Sequence, residues 1–152
     1  MSKPNLAGLS TILAAVVACA SDGIPGPPVG FAHAAATAAC GPTDGPAIAI
    51  YLAPNAVGSL NPPAPYVRIA VWQPVDRVAG RSWRVAAGDE SAAAWFFSSP
   101  NDFHVATGGR VTIRVVDTTS TIQGYADLVF PAVGRISGGF RAAWISGAPL
   151  CG

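Results

Sequence analysis

Residues 122–130 read IQGYADLVF and residues 136–144 read ISGGFRAAW. In the first stretch Ile122, Gly124, Ala126, Leu128 and Phe130 fall on one side of an extended chain, with Gln123, Tyr125, Asp127 and Val129 on the other. In the second, Ile136, Gly138, Phe140, Ala142 and Trp144 oppose Arg135, Ser137, Gly139, Arg141 and Ala143. A period of two in both predicts a hairpin with one buried face. A one-residue slip would turn a whole strand over, so the paired residue numbers must have an even sum. Pairing Phe130 with Ile136 satisfies this, sets Leu128 against Gly138 and Ala126 against Phe140, and leaves Ala132-Val133-Gly134 as the loop. Gly134 is then available for a left-handed backbone.

The same period runs backward through the chain. RVTIRVV at residues 110–116 alternates Val111, Ile113 and Val115 against Arg110, Thr112 and Arg114, and YVRIAVW at 66–72 sets Val67, Ile69 and Val71 against Arg68, Ala70 and Trp72. Shorter candidates lie at 47–52, 82–87, 94–97 and 103–106, separated by Pro, Gly, Asn and Asp as turns require. No window after residue 40 carries an apolar face at helical spacing. The Ala-rich stretch 31–39 suits either a short helix or an extended lead-in, and the second reading fits its neighbours better. The expectation is one all-β domain over residues 31–152, an antiparallel β-sandwich or small barrel of seven or eight short strands.

The 152 residues are 51% hydrophobic and 11% charged, with a mean hydropathy of +0.41. The longest unbroken apolar run, Ile12 to Ala20, falls well short of the ~20 residues a spanning helix needs. Low charge with a high apolar fraction excludes a disordered chain. A formal charge of +1 supplies no basic field for nucleic acid.

Residues 1–18 read as a bacterial signal segment: Lys3 is the positive start, and Leu6 to Ala18 the short apolar core. Val16-Val17-Ala18-Cys19 resembles the lipobox of bacterial lipoproteins. The resemblance implies cleavage before Cys19, acylation of Cys19 and a membrane reached through that lipid, on the cell membrane or the outer membrane. Ala18-Cys19-Ala20 also fits an A-x-A signal-peptidase site, which would release a secreted or periplasmic protein. Residues 19–30 form a Pro/Gly-rich tether. The stretches 122–131 and 136–140 are also similar to the terminal hairpin of small uncharacterised bacterial lipoproteins, which implies a fold and no activity. Cys40 and Cys151 remain, an even pair expected to form one disulfide in an oxidising compartment.

No G-x-S-x-G elbow, phosphate loop or H-E-x-x-H motif is present, and no cofactor motif is found. Lys3 is the sole lysine, so a lysine-dependent mechanism is excluded once the signal is removed. Asp102 and His104 are the residual chemical candidates. Two apart on an extended segment, they can share a site for a metal or form a carboxylate–imidazole dyad, as a small secreted hydrolase or metal-dependent enzyme would need. Trp72 is the candidate exposed ring for a glycan or an envelope protein, with Arg68 and Arg114 as flanking cations. The expected role is a non-enzymatic, envelope-anchored domain that binds or scaffolds.

Overall fold

The computed structural model describes residues 25–59, 61–147 and 151; Cys19 and the signal segment lie outside them. Among the described residues the chain forms nine strands and a 3-10 turn at Val75–Arg77, with no α-helix. The strands are β1 (His33–Cys40), β2 (Pro46–Ala53), β3 (Tyr66–Val71), β4 (Arg81–Arg84), β5 (Ala92–Ser99), β6 (Asp102–Val105), β7 (Gly108–Asp117), β8 (Thr121–Phe130) and β9 (Gly134–Trp144). They form one sheet in the order β4-β7-β8-β9-β1-β2-β3-β5-β6. Every pairing is antiparallel except β1 with β9, which is parallel and held at Ala35↔Ala143 and Ala36↔Trp144.

The sheet curls into a half-barrel. β6 ends one side of it, yet Val105 is only three residues from Gly108, which opens β7 near the other side. The link is hydrogen-bonded to both halves: Ala106 N donates to Ala94 O at 2.9 Å, and Thr107 N donates to Val129 O at 2.9 Å. Both edge strands, β4 and β6, are four residues long. Short edges leave little unpaired backbone for other chains to extend.

The inward faces supply a continuous core. Ile48, Ile50 and Leu52 of β2 meet Val67, Ile69 and Val71 of β3, Val111 and Ile113 of β7, and Ile122, Leu128 and Phe130 of β8. The ninth strand is the Ala-rich β1. Its eight residues all pair with β2, from His33↔Ala53 to Cys40↔Pro46. Ala35 and Ala36 are fully buried although they point to opposite faces, so only small side chains fit, and this packing overrides alanine's helical preference.

The residues before β1 are a plug. Phe31 is buried and sits edge-on to Phe96 at 6.5 Å, in the same core as Phe130. The segment leading to it crosses β9 at Gly138 and Gly139. Gly139 N donates to Gly26 O at 2.8 Å, and any Cβ on Gly138 would strike the backbone of Pro27 and Pro28.

The structure differs from the sequence expectation in several respects: there are nine strands rather than seven or eight, one pairing is parallel, and residues 25–28, expected as tether, pack on β9. The β8–β9 register is offset by two: Phe130 pairs with Gly134, Leu128 with Ile136, Ala126 with Gly138 and Gly124 with Phe140. Both strands keep their faces, and Gly134 does take a positive φ of 81°, but as the first paired residue after a Pro131–Val133 loop. The offset lets the Phe140 ring lie over Gly124, the smallest residue of β8, with Cζ 2.6 Å from where a Cβ would stand. In β7 a bulge between Ile113 and Val115 breaks the alternation. An extra residue shifts the phase, so Val116 packs on the core and Val115 is exposed.

Cys40 and Cys151 are disulfide-bonded with Cα atoms 5.5 Å apart. The bond ties the end of the chain to β1, beside the two-pair parallel seam.

Candidate functional site

The outward face of the β2-β3-β5-β6 side carries most of the chain's outward-facing rings. Register alone builds two rows. Tyr66 of β3 pairs with Phe97 of β5, which pairs with Phe103 of β6; one step along, Tyr51 pairs with Arg68, Arg68 with Trp95, and Trp95 with Val105. The rings stand against one another. Tyr66 and Phe97 stack at 4.5 Å and 11°, Tyr51 lies 6.2 Å from Tyr66, and Phe103 lies 5.6 Å from Phe97. Arg68 places its guanidinium 5.5 Å above the Trp95 ring, a cation–π contact. Burial increases toward β2: Phe103 is 53% and Val105 43% exposed, while Tyr51 is buried.

Two properties of this face bear on ligands. The stacked rings of Tyr66 and Phe97 cover each other's facing sides, which leaves less flat ring surface for a sugar to lie on. Arg68 Nε is buried with no hydrogen-bond partner, and an unmade bond of this kind costs on the order of 1–3 kcal/mol. Partial burial and the neighbouring Tyr51 raise the Tyr66 pKa above 10.0, against the opposing pull of Arg68. The phenol is therefore neutral at ordinary pH and presents an O–H donor.

The three residues singled out for binding occupy three places. Arg68 belongs to the aromatic face. Trp72, just past β3, lies in a cleft of about 580 Å³ with Pro42, Pro46, Pro74, Asp89 and Glu90, its ring against the Gly41 backbone. There Asp89 Oδ1 accepts from both the amide and the hydroxyl of Ser91, which lowers its pKa. Arg114, at the β7 bulge, lines a second cleft of about 660 Å³ beside the plug.

Asp102 and His104 do share a side of β6. Asp102 Oδ2 stands 3.9 Å from His104 Nε2, too far for a hydrogen bond. Ser98 donates to the same carboxylate, and the imidazole stacks on Phe96 at 6.4 Å. A nucleophilic dyad needs the hydroxyl on the imidazole, whereas here it is on the carboxylate. No third His, Cys, Asp or Glu joins the pair among the described residues.

No family model, curated protein or solved structure matches this chain. The reading of its surfaces therefore rests on their geometry.

Alternation along Trp95-Phe96-Phe97 puts Trp95 and Phe97 on one face and Phe96 on the other, without saying which face is outward. Alternation also put Tyr66 in phase with Arg68. It could not show that Tyr66, Phe97 and Phe103 form one line, because that depends on β3 pairing with β5 rather than with β4. Gln123 and Arg141, beside Arg114 in the second cleft, were legible as outward residues and gave no sign of meeting.

Proposed function

We propose that this protein is an exported, lipid-anchored domain of the bacterial cell envelope with a non-enzymatic binding role. Its contact surface is the outward aromatic face of β3, β5 and β6, and its partner is another envelope protein. The observation that carries the binding reading is the row Tyr66–Phe97–Phe103 beside Trp95 and Arg68. An outward sheet face is ordinarily polar, and a contiguous aromatic patch there, half-buried at Tyr66, Trp95 and Phe97 and exposed at Phe103 and Val105, marks a contact site. Export is supported by the Cys40–Cys151 disulfide, since such bonds persist in oxidising compartments. Anchoring is supported by the likeness of Val16-Val17-Ala18-Cys19 to a lipobox.

Two measurements test this. Mass spectrometry of the processed N-terminus is expected to find acylated Cys19; an unmodified Ser21 start would overturn the anchor. A photoreactive phenylalanine analogue replacing Phe103 is expected to crosslink one discrete envelope protein in cells. The same analogue at Thr112, on the outward side of β7, is expected to give no such adduct. Equal labelling from both positions, or none from 103, would overturn the contact surface.

A further inference from the structure

The second cleft has a chemistry of its own. It opens because β1 and β9 are paired at only two positions, and below them the lead-in segment runs apart from β9 with Gly139 N to Gly26 O as its tie. Pro25, Pro27 and the exposed Val115 are the apolar lining of a volume of about 660 Å³ floored by the buried Phe31 and Phe140, and Arg114, Arg141, Gln123 and His33 supply the polar lining. That volume lies within the usual range for small-molecule sites.

The placement of the two arginines follows from register. Gln123 of β8 faces Arg141 of β9 on one side and Val115 of β7 on the other, and the β7 bulge displaces Arg114 beside it. Strands one apart in the sheet are about 4.8 Å from each other, so β7 and β9 backbones stand roughly 10 Å apart across β8. Two long guanidinium side chains can close on one anion over that span, with the Gln123 amide between them. No carboxylate among the described residues lines the cleft. The ion pair among those residues, Asp127–Arg135, uses neither Arg114 nor Arg141. Guanidinium groups recognise phosphate through charge-assisted, often bidentate hydrogen bonds.

We infer that this cleft binds the phosphodiester of an anionic lipid, with Arg114 and Arg141 on the phosphate oxygens and Val115, Pro25 and Pro27 against the apolar part. The arginines and the apolar walls stand on the geometry. The choice of a membrane lipid as source rests on the anchored reading above. Pro25 at the cleft mouth is the sixth residue after Cys19, and that stretch fully extended spans at most about 20 Å. An acylated Cys19 would therefore keep the cleft within about 20 Å of the bilayer surface.

The test uses the processed protein and calorimetric titration with dihexanoylphosphatidylglycerol below its micellar concentration. Dihexanoylphosphatidylcholine and inorganic phosphate are titrated in parallel. Expected is saturable binding of the anionic lipid, with Arg114→Gln and Arg141→Gln each weakening it about tenfold and the double variant about a hundredfold, the loss of one and two charge-assisted contacts. Arg84→Gln, an exposed arginine on edge strand β4, is expected to leave it unchanged. Equal affinity for phosphatidylcholine, which carries the same phosphodiester beside a choline cation, would overturn the assignment to an anionic lipid, and equal affinity for inorganic phosphate would overturn the lipid. Binding that survives the double variant, or falls equally with Arg84→Gln, would overturn the assignment of the arginines. The titration is independent of the N-terminal mass, so loss of the anchor and loss of the site are separate results.

Discussion

Removing the disulfide with Cys40→Ala and Cys151→Ala tests the seam that closes the sheet. The bond spans 111 residues, and in the chain-entropy model a loop of that length stabilises the fold by about 4.8 kcal/mol, with 2–5 kcal/mol typical when native bridges are removed. For a domain of this size, with an unfolding entropy of about 2.1 cal/mol/K per residue, that corresponds to a fall in Tm of roughly 8–19 °C. The loss is expected to be uneven. β9 and β1 share two register pairs and the bond from Ile145 N to Ala36 O at 2.8 Å, whereas β8 and β9 pair at ten positions from Thr121 to Phe130. Hydrogen exchange should therefore accelerate first at the Ile145 amide, with the β7–β8 and β8–β9 amides still protected. The assay is thermal melting by circular dichroism, with and without reductant, beside exchange measured on the double variant. Reduced wild type and the double variant are expected to melt together, and the unreduced, unfolded protein should show no reactive thiol from Cys40 or Cys151. An unchanged Tm under reductant, or two such thiols in the isolated protein, would refute the reasoning.

Gly124→Ala is expected to cost about 1–3 kcal/mol by denaturant titration, because its Cβ would meet the Thr112 carbonyl and the Phe140 ring at once; a neutral result would mean that β7 yields. Phe31→Ala should cost about 3–5 kcal/mol, since it withdraws the plug that packs edge-on to Phe96. A loss under 1 kcal/mol would show that the lead-in is not part of the core. Asp117 accepts hydrogen bonds from Ser120 and Thr119, and these lower its pKa from 3.8 to about 2. A carboxylate with a depressed folded pKa contributes stability above the unfolded value and loses it as pH falls through the folded one. Asp117→Asn should thus flatten the acid limb of stability between about pH 4 and pH 2, read from denaturant midpoints; an unchanged limb would remove these hydrogen bonds as its cause.

Much of the fold was legible because alternation is a local signal. Val111, Ile113, Ile122, Leu128 and Phe130 face the core as their spacing requires, and Phe96 turns inward between Trp95 and Phe97. Residues 33–40 were harder to assign, since a run of alanine has no polar side to alternate with; both faces of β1 are covered, and that is set by β2 and by the turn of the chain end onto Cys40. The bulge at Arg114 was hidden for the opposite reason. RVTIRVV alternates cleanly, and only pairing with β8 shows that Val116 and not Val115 meets the core.

Faces and sites are written at different levels. The two-residue offset at β8–β9 left every side chain on its expected face and changed only its partners, which for a core means Phe140 over Gly124 instead of over Ala126. For a surface, partners are the site. In β3–β5 the paired numbers place Tyr66 on Phe97 and Arg68 on Trp95. A slip of two in one direction would set Tyr66 against Trp95 and Arg68 against Ala93, leaving Arg68 without its ring at the same parity and nearly the same apolar burial. That pairing exists at all because β4 leaves for the far edge beside β7, so that β3 meets β5. The basic cleft has the same origin, since it opens where β1 joins β9 across more than a hundred residues of chain. Both candidate surfaces are thus products of non-local pairing, which periodicity does not encode, and for that reason Arg68 and Arg114, alike in an alternating strand, belong to different sites.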